Sequence, residues 1–273
     1  MTLHLGGPLL LVGAGKMGGT MLAGWLRQGL DSASIYVQDP TPAPGAAVMM
    51  ASHGIRVRHQ AKLPAAPAVI VLAVKPQIMD EVVPTLGASL GPSTVVLSIA
   101  AGRTLANLAA RLPSGTAIVR AMPNTPAAIE QGMTVACANP EVTRGQALSC
   151  NMLLEAVGEV IWLDDESLMD AVTAVSGSGP AYVFLLAECL TEAGIDQGLE
   201  PDLAARLARA TLAGAAELLR RSDLSPAELR QNVTSRKGTT AAALEVLMGK
   251  DGLADLLKRA VAAAAKRSHE LSS

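Results

Sequence analysis

Aromatic side chains are scarce in this chain of 273 residues: two Trp, two Tyr and one Phe. Nucleobases would find few stacking platforms, and with a net charge of -2 the electrostatic footprint of a nucleic-acid binder is missing as well. Charged residues make up only 17% and hydrophobic ones 50%, more apolar surface than one compact chain hides, so self-association is expected. Cysteine is limited to Cys137, Cys150 and Cys189, in no CxxC or metal-like spacing, which predicts buried, reduced thiols in a cytoplasmic protein. The four histidines, His4, His53, His59 and His269, lie outside any plausible catalytic loop. A dehydrogenase that moves a hydroxyl proton on imidazole is therefore disfavoured. No His, Cys, Asp and Glu cluster has ligand spacing, so no metal is expected. Long apolar runs are missing too. The uncharged stretch Ala171 to Ala187 is interrupted by Ser176-Gly-Ser-Gly-Pro180, and no basic segment or small-residue cleavage site accompanies Leu9 to Val12. Neither a membrane span nor a secretory leader is expected.

What the chain does have is glycine in a pattern. Pro8 to Val12 reads as a short buried strand, followed by Gly13-Ala14-Gly15-Lys16-Met17-Gly18 and an apolar helical stretch, Met17 to Gln28. In a dinucleotide site the first glycine permits the tight turn, the second lets the backbone approach a pyrophosphate, and the third lets the helix pack on the strand. The helix N-terminus adds free N–H donors and about half a positive charge. A second strand, Ser34 to Gln38, ends at Asp39, about twenty residues on, where a carboxylate can read a ribose 2′-hydroxyl and repel a 2′-phosphate. No Lys or Arg lies between Asp39 and Arg56 to offset that charge, although Thr41 is a candidate phosphate ligand. NADPH or NADH is the expected cofactor, with Asp39 leaning toward NADH.

Further β-branched runs recur at Val69 to Val74, Thr94 to Ile99, Ala117 to Arg120, Met133 to Cys137 and Val160 to Leu163, with helical segments between them. This alternation, and runs that are continuously apolar, predict an α/β fold with a mostly parallel, doubly wound sheet. After Asp164 the β-branched runs vanish and Ala, Leu, Glu and Arg dominate. Residues 1–164 are expected to form a Rossmann domain and residues 165–273 an all-α domain. Its helices are expected at Ala171 to Ala193, Pro201 to Arg221, Pro226 to Asn232, Thr239 to Met248 and Leu253 to Ser268. Leu203, Leu207, Leu212 and Leu218 widen an apolar stripe that a partner subunit could cover.

In an open parallel sheet the ligand lies beyond the carboxyl ends of the strands. The loops there are Ala73-Val74-Lys75-Pro76-Gln77, Ser98-Ile99-Ala100-Ala101-Gly102 and Arg120-Ala121-Met122-Pro123-Asn124-Thr125-Pro126, whose small residues and prolines suit close approach to a flat ring. Lys75 either lines this channel with its stem or moves a proton. In the helical half, Gly177 and Gly179 interrupt a helical pattern and call for a close backbone approach. Gly238, Thr239 and Thr240 stand at a helix start, where hydroxyls and free N–H groups can hold a carboxylate or merely cap the helix.

In order, G-A-G-K-M-G, A-V-K-P-Q, S-I-A-A-G, R-A-M-P-N-T-P-A, S-G-S-G-P-A-Y and T-S-x-x-G-T-T resemble the pyrroline-5-carboxylate reductases, from Leu9 to about Leu257. The resemblance implies reduction of the cyclic imine of (S)-1-pyrroline-5-carboxylate to L-proline, and an intertwined homodimer built by the C-terminal dimerisation domain. Ser235 and Thr240 would be catalytic, with Gly238 and Thr239 beside them on the substrate. The cofactor would take Gly13 to Gly18, Asp39, Gln60, Ala73 to Pro76, Ala100, Ala101, Met122, Pro123 and Asn124. Two departures stand out. The family commonly reads S-P-G-G-T-T where this chain has Ser235-Arg-Lys-Gly-Thr-Thr240, and Gln60 replaces its asparagine at the adenosine contact. A β-hydroxyacid dehydrogenase would need a lysine within Ala171 to Ala187, which has none. A nucleotide-sensing protein without turnover would have no use for Thr239 and Thr240.

Overall fold

The computed structural model of the chain describes residues 3–58 and 63–272. The chain divides into two compact units, one made of the residues up to Gly177 together with those from Ala265 onward, the other of Ser178 to Ala264.

Among the described residues the first unit holds eight strands: β1 (Leu9–Val12), β2 (Ile35–Gln38), β3 (Val57–Arg58), β4 (Val69–Leu72), β5 (Val95–Ser98), β6 (Ala117–Met122), β7 (Gly132–Ala138) and β8 (Gly158–Trp162). They form one sheet in the order β3-β2-β1-β4-β5-β6-β7-β8. Every residue of β1, β4 and β5 is buried, as a central parallel strand covered on both faces requires. Leu9, Leu11, Val69 and Val71 face one core with Trp25 and Leu153, while Leu10, Val12, Ile70 and Leu72 face another with Met79, Val83 and Leu108. Helices α1 (Lys16–Arg27), α2 (Pro44–Ser52), α3 (Met79–Val82), α4 (Leu105–Ala109), α5 (Arg144–Glu155) and α6 (Met169–Val172) complete the unit. After β1 the chain builds outward through β2 to β3, then returns to β4 on the other side of β1. That reversal opens a crevice at the carboxyl ends of β1 and β4.

Six of the pairings are parallel, but β7 runs antiparallel to β6, with Met122 opposite Val135. The segment joining them, Pro123 to Gln131, is shorter than the dozen or so residues that a parallel crossover needs. Strand β3, two residues long, has no counterpart in the expected strands.

The compact units separate after Gly177, later than the change in composition at Asp164. Tertiary contacts explain the delay. Met169 packs on Val135 and Cys137, Glu166 pairs with Arg120 at 2.7 Å, and the C-terminal Ser268 hydroxyl donates to Asp170 at 2.6 Å. The helix expected from Ala171 to Ala193 is not continuous. Helix α6 ends at Val172 and a five-residue π turn, Thr173–Gly177, follows.

The second unit contains α7 (Gly179–Asp196), α8 (Pro201–Arg221), α9 (Pro226–Asn232), α10 (Thr239–Leu247) and most of α11 (Leu253–Ser272). Helices α7 and α8 pack on each other, yet Ala204 and Ala208 are the buried residues of the whole unit. Cys137 and Cys150 are buried, but Cys189 on α7 is exposed, contrary to the expectation of three buried thiols. No helix among the described residues is long and apolar enough to cross a membrane.

Candidate dinucleotide and substrate sites

Gly13 turns the chain out of β1 with φ at +95°, a region where a side chain is strained. A Cβ there would also lie 2.7 Å from the Ala73 carbonyl oxygen. Gly18 faces the Gly13 carbonyl so closely that no methyl fits, which seats α1 directly on the turn. Gly15 differs: a Cβ there would meet nothing within 4 Å, and the residue caps α1 without any side-chain hydrogen bond. The first turn of α1 thus offers uncapped N–H groups to open space, which is what a pyrophosphate requires. Lys16 is exposed on that turn, and Ala14 and Gly18 are buried beneath it.

Asp39 closes the loop from the side. Its Oδ2 accepts from the Ala14 N–H and its Oδ1 accepts from the Thr41 N–H at 2.7 Å. The Gly13 N–H donates to the Gln38 carbonyl at 2.9 Å, so the end of β2 fixes the glycine turn twice over. Gln60 lies outside the described residues.

The other expected cofactor residues line the same edge. Ala73 to Pro76 leave β4, with the Ala73 N–H bound to the Val12 carbonyl at 2.8 Å and the Lys75 side chain exposed. Ala100 and Ala101 follow β5 at the turn that Gly102 completes with φ +70°. Met122 ends β6, and Pro123 and Asn124 leave it. Arg103, which sequence reasoning passed over, ties two of these loops together. It donates to the Pro76 carbonyl at 2.7 Å and pairs with Asp80 at 3.2 Å. Only tertiary placement reveals that role, since a single Arg after a glycine carries no local signal.

Burial pushes the Cys150 thiol up to about 12. Cys137 rises to about 11, through burial first and the nearby Glu166 carboxylate second, with Arg120 opposing. Both thiols stay protonated and inert at neutral pH. Among the described residues no group of three or more His, Cys, Asp or Glu side chains is placed to hold a metal ion.

The second unit brings Ser235, Gly238, Thr239 and Thr240 together by itself. Gly238 is the N-cap of α10, with no side-chain cap, and its N–H donates to the Ser235 carbonyl at 3.1 Å. A Cβ on Gly238 would collide with the Ser235 hydroxyl, so glycine is what lets Ser235 fold over the helix start. Ser235, Arg236, Lys237 and Thr239 are exposed and Thr240 is half-buried. Hydroxyls, uncapped N–H groups and two cations in one loop are groups with the chemistry to hold an anion.

Gly177 and Gly179 part company. A Cβ on Gly177 would lie 2.5 Å from the Met122 terminal methyl, which is the close approach expected of it, whereas Gly179 faces open space.

Residues 166–271 match the family model for pyrroline-5-carboxylate reductase dimerisation, and residues 9–102 match that for NADP oxidoreductase, coenzyme F420-dependent. The pyrroline-5-carboxylate reductase of Pseudomonas aeruginosa is 42% identical over 97% of this chain and 96% of its own. That of Pisum sativum is 39% identical over 96% and 94%. A solved pyrroline-5-carboxylate reductase from Coxiella burnetii superposes with a TM-score of 0.90 at 34% identity, covering 98% of this chain and 99% of the other. The Plasmodium falciparum pyrroline carboxylate reductase, solved with NADP bound, gives 0.83 at 27% identity over the whole of both chains.

Proposed function

The chain belongs to the pyrroline-5-carboxylate reductase family, and from that premise we infer that it reduces the ring imine of (S)-1-pyrroline-5-carboxylate to L-proline. The observation that carries this reading is the make-up of the carboxyl edge, where four loops offer backbone, small side chains and prolines but no histidine. An imine needs no more. It is basic enough to arrive protonated, so hydride addition yields the amine without an acid from the protein. A bound nicotinamide dinucleotide supplies the hydride. The chain's own contribution is orientation, which is worth several kcal/mol of barrier when reacting atoms are held together.

For that task Gly13, Ala14, Gly15, Lys16, Met17 and Gly18 hold the pyrophosphate, a role supported by the uncapped α1 N-terminus and the open space at Gly15. Ala73, Val74, Lys75, Pro76, Ala100, Ala101, Met122, Pro123 and the Asn124 backbone border the nicotinamide half. Ser235, Gly238, Thr239 and Thr240 hold the substrate carboxylate and ring nitrogen. The test is nicotinamide absorbance followed with the imine. Thr240→Ala should lower kcat/KM about ten- to a hundredfold, the scale of one or two lost hydrogen bonds to a reacting ligand. An alanine variant with undiminished efficiency would remove Thr240 from the site.

The preferred cofactor in this reading is NADH. Asp39 keeps a carboxylate at the end of β2, and the Thr41 N–H, a donor suited to a phosphate, is already given to it. Asp39→Ser should raise NADPH efficiency relative to NADH by about tenfold, as removal of one repelling charge would. Equal ratios for wild type and variant would show that Asp39 does not read the ribose. The protein works as a homo-oligomer, at least a dimer, in the cytoplasm. The match to a dimerisation model and the near-absence of buried residues in the second unit support the first statement, and the unpaired cysteines support the second.

A further inference from the structure

Asn124 follows β6 by two residues, in a loop bounded by Pro123 and Pro126. Its side chain does not point its polar atoms outward. The Oδ1 accepts from the Met133 N–H at 2.9 Å, at the start of β7, and the Nδ2 donates to the Ser176 carbonyl and to the Ser176 hydroxyl, both at 3.3 Å. A backbone N–H can only donate and a carbonyl can only accept, so these partners fix which end of the amide is oxygen. Ser176 belongs to the π turn Thr173–Gly177, and the next residue, Gly177, lies so close to Met122 at the end of β6 that a Cβ on it would be 2.5 Å from the methionine methyl. Such turns displace carbonyls from the regular helical ladder and recur at functional sites. Here the Ser176 carbonyl accepts from the Asn124 carboxamide.

We propose that Asn124 is a positioning residue whose carboxamide brackets the Met122-Pro123-Asn124 loop against the Ser176-Gly177 turn, and so sets where the nicotinamide half is held for hydride transfer. The proposal rests on the reductase reading above. It assigns both ends of the side chain to protein partners, and the cofactor's contact with this residue is then through backbone. It also gives Ser176 and Gly177 a purpose that their glycine-rich sequence left open. A displacement of about 1 Å in such a rim can cost on the order of a hundredfold in rate while leaving binding nearly intact.

Three variants test it, with kcat, NADH affinity by fluorescence and pH dependence as readouts. Asn124→Ala should lose about ten- to a hundredfold in kcat while its NADH affinity stays within about threefold of wild type. Ser176→Ala, which keeps the carbonyl acceptor, should stay within about threefold in both. Asn124→Asp retains the oxygen for Met133 but turns a second oxygen on the Ser176 carbonyl, and only its protonated form can donate there. Its kcat relative to wild type should therefore climb as pH falls from about 9 toward about 6, because burial beside a carbonyl raises a carboxyl pKa. That recovery occurs within one folded sample, so a folding defect does not mimic it. Wild-type protein inert toward the imine overturns the reductase reading. Wild-type turnover with a flat Asn124→Asp ratio, or with Asn124→Ala within about threefold in kcat, overturns the bracket.

Discussion

Lys237 has φ at +59°, in the left-handed region that costs a residue with a Cβ about 1–2 kcal/mol. Where the family commonly reads S-P-G-G-T-T, this chain has Ser235-Arg-Lys-Gly-Thr-Thr240, and the backbone supplies the reason for the usual glycine at this position. Lys237→Gly should relieve the strain, while glycine's freedom in the unfolded chain returns roughly 0.5–1 kcal/mol of it. A net gain of about 0.5–1 kcal/mol in urea unfolding is expected; a loss of stability would show that the lysine side chain makes compensating contacts in the assembled protein. Single residues were unevenly legible. Gly13 and Gly18 could be read because their reason is local, a turn between strand and helix. The place of Asp39 at the end of β2 was legible, but its grip on the Ala14 and Thr41 N–H groups was not. The Asn124 bracket joins residues more than fifty positions apart, and no local pattern encodes that.

At the scale of elements, apolar β-branched runs foretold seven of the eight strands; in β1, β4 and β5 the reason is burial on both faces, which leaves a continuous hydrophobic signature, whereas β2 and β8 are only partly buried. Strand β3 escaped notice because two residues carry no period. The antiparallel turn of β7 depended on loop length, and the break between α6 and α7 on a π turn held by Asn124 from the loop after β6. Helix packing shows why certain small residues are needed. In α1, a Cβ on Gly24 would lie 2.7 Å from a Val157 methyl and 2.8 Å from the Ala156 carbonyl oxygen. One turn-side neighbour, Trp25, is fully buried and donates its indole N–H to the Leu153 carbonyl at 2.8 Å. Gly24→Ala must push α1 off the end of α5, and should destabilise the protein by about 1–3 kcal/mol despite alanine's better helix propensity. Thermal unfolding checks this, and an unchanged or raised Tm would mean that the interface yields without cost.

For the whole molecule, the contrast between the two units decides how many chains are needed. The first has a layered core on both faces of a sheet, whereas the second exposes Val183, Phe184 and Leu185 on α7 and Leu203, Leu207 and Leu218 on α8. Three of the four leucines read from the sequence as an apolar surplus are thus exposed, and the fourth, Leu212, is half-buried. Within the unit an open groove of about 590 Å³ runs between α7 and α8, bordered by Phe184, Ala187, Thr191 and Ala205 and by the charged Glu188, Glu192 and Arg209. The exposed apolar side chains of α7 and α8 gain about 25 cal/mol for each Å² of apolar surface taken from water, so their burial against a second chain favours pairing over exposure. Light scattering at micromolar concentration should return at least twice the 27.9 kDa of one chain. Phe184→Asp would bury a charge in the paired state at a cost of several kcal/mol, and should shift the mass toward a single chain. Wild-type protein at the single-chain mass would sink the dimer. A Phe184→Asp protein that kept the full oligomeric mass would instead move the interface off α7. Loss of activity in step with loss of mass would further show that turnover depends on the assembled form, because the first unit carries its own core and should bind NADH with or without its partner.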